Sequence, residues 1–279
     1  MISRVRRYIS ITLLLVISLP LLLMYIWLFM NSISAGTLYG FLPKKVSMES
    51  WNFLWKPIPY VGKFSSVWPV VMNTCIVAGG VSVLNVFISS LAGYALSKLK
   101  MKGKDIIMQS TMILKAFPVL ILMIATYFIL FKLRLLNTFF APILSRTAME
   151  TIMGLWIMKG FFDGIPKEIE EASMLDGATR FQTWWKVMLP LVMPGIGAVA
   201  ILSFLAGWSD FIFVYTFIFE ERKWTLSVLL YQILSTPESL DYSFLSALSV
   251  FYMIPALILY TLTQKVFMKA TIGGALGGA

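Results

Sequence analysis

Four ionisable side chains stand inside long uncharged runs of this chain: Lys115, Arg146, Glu150 and Asp210. A charge at mid-bilayer costs about 2.5–3.5 kcal/mol on insertion scales, so a paired Arg–Glu is expected to face protein or water. Arg146 and Glu150 are four residues apart, which puts them on one helix face and predicts an internal ion pair. Together the four are the groups an ion-gradient-driven secondary transporter would use as a relay. That alternative lacks support from any repeated half in the sequence. Other chemistries are excluded by residue type. There is no histidine, which removes imidazole bases, His metal ligands and His proton relays, and no metal site is expected. The one cysteine, Cys75, excludes an internal disulfide. No nucleophile–base constellation of a membrane enzyme occurs. A phosphate loop is missing too: Gly103-Lys104 is followed by Asp105 and lacks the upstream glycine. The chain is therefore expected to hold no cofactor and to hydrolyse nothing itself.

The elements that must position these residues are membrane spans. Of 279 residues, 59% are hydrophobic and 13% charged, about half the charge fraction of a soluble domain, and the mean hydropathy is +0.84. Apolar runs at 8–30, 67–97, 106–131, 135–158, 189–219 and 242–264 predict six transmembrane helices in an all-α integral membrane protein. Lys98, Lys100, Lys102 and Lys104 mark one inside loop, and Arg4, Arg6 and Arg7 another. Thirteen of the 23 Lys and Arg fall on the side that also holds both termini, which makes that side cytoplasmic. The net charge of +10 follows from these loops and calls for no nucleic acid. The division expected is a first helix and extracytoplasmic loop over 1–66, a five-helix core over 67–268, and a Gly-rich tail over 269–279. In the loop, Trp51 and Trp55 read as interface anchors. Ser89 and Gly93, four apart, have a spacing that allows close helix packing. Asn73, Trp208, Asp210 and Tyr215 are polar or aromatic groups within spans; each fits either a solute path or ordinary packing.

One long charged interval, 159–186, breaks the oily pattern. Pro166 suits a first helical position, and Glu168, Glu170 and Glu171 fall where the helix dipole favours negative charge. At 100° per residue Ile165, Ile169, Ala172 and Ser173 share one small apolar face. Gly177 is a natural C-terminal stop. Thr179 and Gln182 have the T-x-x-Q spacing of a capping box, and a second helix then carries Phe181, Trp184, Trp185 and Met188 toward Pro190. Membrane-surface helices are usually Lys/Arg-rich. An acidic one between spans fits docking into the groove of a soluble partner better.

These residues resemble the EAA loop of binding-protein-dependent ABC transporter permeases, roughly E-A-A-x-x-x-G followed by I-x-L-P. The match runs through Glu171, Ala172, Ser173, Asp176-Gly177-Ala178, Val187, Leu189 and Pro190, with Ser173 replacing the second Ala and Val187 the Ile. AGYALSKLKMKGK at 92–104, FFDGIPKEIEEA at 161–172, GWSDF at 207–211, KWTLSV at 223–228 and the ending TIGGALGGA are similar to the carbohydrate-type permeases, in particular the smaller, six-span member of a maltose-type pair. Ser209 stands where that group usually has Asn. The resemblance implies an ABC type I transmembrane domain whose loop 162–190, with Glu170 beside the motif, is a coupling helix. It implies four kinds of neighbour: a second permease subunit, a dimer of ATPase subunits that hold ATP and Mg, an extracytoplasmic solute-binding protein, and the lipid bilayer. The solute implied is a sugar or oligosaccharide. The Gly-rich tail would reach toward the ATPase subunits.

Overall fold

The computed structural model describes residues 2–36, 40–43, 45–58, 64–236 and 241–276, the side chains of residues 2–9 and 262–276 excepted. The described residues form helices with no strand, only an isolated bridge between Ser34 and Val46. In order the α-helices are α1 (Ile2–Ser32), α2 (Trp68–Lys98), α3 (Lys104–Lys115), α4 (Val119–Lys132), α5 (Phe140–Asp163), α6 (Lys167–Leu175), α7 (Arg180–Gln182), α8 (Leu189–Leu191), α9 (Met193–Trp208), α10 (Ile212–Phe217), α11 (Leu226–Leu234) and α12 (Tyr242–Leu276).

By length and composition three of these can cross a membrane alone: Ser10–Ser32, Trp68–Lys98 and Tyr242–Thr261. They match the first, second and sixth expected spans. The third is not one straight helix. α3 and α4 meet at 103°, because Pro118 lacks an N–H and biases Phe117 out of the helical region. Lys115 falls in the last turn of α3, exposed and next to that break, where a cation suits the helix C-terminus. The fifth is broken as well. The stretch Arg180–Leu191 bends by 83° into α9 at Val192, between Pro190 and Pro194, each of which deletes a ladder hydrogen bond. α9 then stops at Trp208, short of the expected Phe219. Counting each bent pair as one span brings the number to five. The fourth expected span corresponds to α5, whose Arg146, Glu150, Lys159 and Asp163 make it less apolar. The Gly-rich ending continues α12 to Leu276, and residues 277–279 lie outside the described ones.

The chain divides into two compact units. One joins the residues up to Trp68 with Leu229–Pro255. Its centre is Phe53, edge-on to Phe244 and Phe251 with ring centroids 5.7 Å apart in each pair. Trp51 is a structural donor rather than a free anchor: its Nε1–H reaches the Ser32 carbonyl at 3.1 Å. Trp55 is exposed, as an interface anchor would be.

The other unit is built around Pro69–Val228, where α2, α5 and α9 pack through small residues. A Cβ on Gly93 would lie 2.8 Å from Met158 Cβ and 2.9 Å from the Lys159 nitrogen. A Cβ on Gly154 would lie 2.3 Å from Ser89 Oγ. The expected Ser89/Gly93 spacing therefore fits a matching Gly154/Met158 spacing on α5. A hydrogen-bonded node closes the third side: Ser89 Oγ donates to Asn85 Oδ1 (2.7 Å), and Asn85 Nδ2 donates to Ser203 Oγ (2.6 Å). Gly93→Ala is expected to lower stability in detergent by about 1–3 kcal/mol, because the clash is with backbone that cannot move aside. Gly79→Ala on the same helix meets nothing within 4 Å and should be neutral or raise stability by up to about 1 kcal/mol. Thermal unfolding of the two variants side by side checks the close approach.

Candidate functional site

The charged interval forms a helix, a turn and a second, distorted helix. Pro166 is the N-cap of α6, one position before the place expected for it, with Glu168 and Glu170 in the first turn. α6 ends in a Schellman turn: the Ala178 N–H reaches the Ser173 carbonyl (3.2 Å) and the Gly177 N–H reaches the Met174 carbonyl (3.1 Å). That geometry needs Gly177 at φ 86. The capping box is complete: Thr179 Oγ1 accepts from the Gln182 N–H (3.3 Å), and Gln182 Oε1 accepts from the Thr179 N–H (2.9 Å). Beyond α7 the chain widens into an underwound π-helical segment, Thr183–Met188. Pro190 explains it, since a regular α-helix there would drive the proline ring against the Lys186 carbonyl.

The faces of α6 divide differently from the expected grouping. Glu170, 6% exposed, and Ser173 turn into the chain, while Ile169 and Ala172 turn out. Tyr94 Oη donates to Glu170 Oε1 at 2.6 Å. The Ser173 and Thr183 hydroxyls are 3.0 Å apart. Glu168, Glu171, Asp176 and Gly177 are exposed; Ala178 and Leu189 are partly buried, and Pro190 is exposed. Beside the acids lie apolar side chains facing solvent: Leu175 at 88%, Phe181 at 62% and Trp185 at 58% exposure. Trp184 and Met188 point the other way, into a core shared with Tyr94, Met158, Phe162, Val192 and Val199. The segment thus has an anchored inner face and an outer face that mixes acids with uncovered apolar groups, the composition of a protein-contact surface.

The segment is also tied at its start. Asp163 accepts from Ser97 Oγ (2.6 Å) and from Lys159 Nζ (2.6 Å), and Lys98 Nζ donates to the Ile165 carbonyl. Partial burial works against the Asp163 charge, but the hydrogen bonds from Lys159 and Ser97 outweigh it and hold the carboxyl below its ordinary 3.8. A depressed acid contributes stability above its unfolded pKa and loses it as pH falls through the lower folded value. The stability difference between wild type and Asp163→Asn should therefore stay flat from pH 8 to pH 5, at about 1 kcal/mol or less for so exposed a pair, and shrink only below about pH 4. Unfolding midpoints across that range check it.

The residues offered for a solute path sit in different local settings. Asn73 Nδ2 donates to the carbonyls of Arg222 (2.8 Å) and Trp224 (3.0 Å), which fastens the 222–224 loop to α2. Asp210, 3% exposed, lies in the gap between α9 and α10. Its Oδ1 accepts from the Phe213 N–H at 3.5 Å, and Ser227 Oγ donates to its carbonyl at 2.7 Å; Oδ2 has no partner among the described residues. Trp208 is buried with Phe204 stacked on it (6.0 Å), whereas Tyr215 is exposed and stacked on Phe211 (5.1 Å). The Arg146–Glu150 ion pair is present at 2.9 Å, and both groups lie within electrostatic range of Asp210. Tyr94, Ser97, Lys98 and Thr183, which hold the charged segment, carry no local sequence signal, because their partners are distant in the chain.

The described residues thus combine three helices able to cross a membrane, or five crossings with each bent pair counted as one, with a capped, half-anchored helix pair before α9. Residues 85–272 match the family described as "Binding-protein-dependent transport system inner membrane component", and the chain belongs to that family. It is a membrane-embedded permease. It is 31% identical to the inner membrane ABC transporter permease protein YcjP of Escherichia coli (strain K12), over 99% of this chain and 97% of that one. It is 32% identical to the trehalose/maltose transport system permease protein MalG of Thermococcus litoralis, over 74% of each. Its fold is similar to a chain in the crystal structure of a bacterial ABC transporter involved in the import of the acidic polysaccharide alginate. The TM-score is 0.78 at 25% identity, covering 94% of this chain and 96% of that one.

Proposed function

We propose that this chain is one permease subunit of an ATP-driven importer that carries a sugar or oligosaccharide across the cytoplasmic membrane. In this reading the chain crosses the membrane six times with both termini in the cytoplasm, α5 serving as the fourth crossing. The segment 162–190 docks in a cleft of an ATPase subunit. ATP and Mg are held by those partner subunits, a second permease completes the path, and an extracytoplasmic binding protein delivers the solute. The observation that carries the reading is the outer face of α6, where Glu168, Glu171 and Ala172 sit beside the nearly fully exposed Leu175. Uncovered apolar side chains grouped beside acids mark a surface for a protein partner. The carbohydrate solute rests on the names of the relatives.

Purification of the tagged chain from its own membrane should co-isolate an ATPase and a second permease. Vesicles rebuilt from that complex should take up solute only with ATP on the ATPase side and binding protein on the other. Uptake by the chain alone under an ion gradient would favour the secondary-transporter alternative instead.

A further inference from the structure

The docking helix is seated in an unusual way. Its nine residues are too few to be stable alone, yet its only buried side chains are polar, Glu170 and Ser173. Each is bonded to a different element: Glu170 to Tyr94 on α2, Ser173 to Thr183 in the π-helical segment. Tyr94 and Glu170 are 5% and 6% exposed, so the 2.6 Å hydrogen bond between them is shielded from water, which strengthens it. The adjacent links from Ser97 and Lys98 are partly exposed and reach the chain before α6 begins.

We propose that Glu170, although it borders the docking motif, does not touch the ATPase. It is a positioning residue that passes displacement of α6 to α2 through the Tyr94 hydroxyl, while Ser173 passes it to the π-helical segment and α9. The proposal rests on the coupling reading above. α6 buries no apolar side chain, so within the helix itself this bond is what ties it to α2. Removing the hydroxyl leaves the outer face of α6 intact and puts slack between docking and transport.

Tyr94→Phe, Glu170→Ala and Glu170→Gln, each in the assembled transporter, test this. ATPase co-purification, ATP turnover and solute uptake are read on one preparation, with the unfolding midpoint as a folding control. Tyr94→Phe removes a single oxygen and is expected to fold. Tyr94→Phe and Glu170→Ala should retain the ATPase at wild-type stoichiometry and keep ATP turnover within about twofold. Uptake per ATP should fall roughly tenfold, the loss of one buried hydrogen bond. Glu170→Gln keeps an acceptor oxygen and should recover at least half of the coupling. Unchanged uptake per ATP in Tyr94→Phe overturns the proposal. So does loss of the ATPase in Glu170→Ala, which would make Glu170 a docking residue. Failure of the docking reading itself has a different signature: Glu171→Lys retaining its ATPase.

Discussion

A chain carrying Glu171→Lys is expected to insert into the membrane at wild-type levels, to lose its ATPase subunits, and to lose solute uptake by a hundredfold or more. The side chain is exposed on the outer face of α6, so nothing in the fold depends on it. Reversing the charge in the second turn costs the helix only about 0.3–1 kcal/mol through its dipole, too little to unfold the segment. A like-charge mismatch in a docked interface costs several kcal/mol, and 2.7 kcal/mol already corresponds to about a hundredfold. Gly177→Asp should reach the same end by another route. A Cβ there meets no atom, so the damage comes from the left-handed backbone, at about 1–2 kcal/mol. That strain frays the Schellman turn that fixes Leu175 and Asp176. Immunoblots of membranes, ATPase pull-down and uptake separate a docking defect from an insertion defect.

The second large effect is at Trp184. It is fully buried, with Phe181, Trp185 and Phe87 around it at centroid distances of 5.2, 5.7 and 6.3 Å. Trp184→Ala should cost about 3–5 kcal/mol and abolish both ATPase association and uptake, because the inner face loses its footing in the core of α2, α5 and α9. Trp184→Phe should keep most of both. Its indole N–H has no acceptor among the described residues, so only packing volume is lost. Unfolding midpoints set beside uptake check this pair.

The local chemistry was legible in the sequence. The Thr179/Gln182 capping box, the left-handed Gly177, the Arg146–Glu150 pair and the Ser89/Gly93 packing face each depend on residues within one or two turns. Short-range rules suffice for these. Illegible features depend on groups far away or on geometry that composition does not encode. The 103° bend at Pro118 and the π-helical widening before Pro190 are geometries of this kind. Periodicity placed Ala172 and Ser173 together, whereas the partner of Ser173 is Thr183 and that of Glu170 is Tyr94, 76 residues earlier. The same holds for Asn73, whose amide is consumed by carbonyls 149 and 151 residues away. An open solute-path role could not be separated from that pinning role by residue type alone.

Docking of the ATPase on the outer face of α6 is open to direct crosslinking. Cysteine placed singly at Ala172 or Leu175, with exposed Cys75 replaced by serine, puts a short thiol-reactive photo-crosslinker on that face in the active complex. An adduct of the chain with one ATPase subunit is expected from both positions. A transporting complex that gives no ATPase adduct from either Ala172 or Leu175 would contradict it.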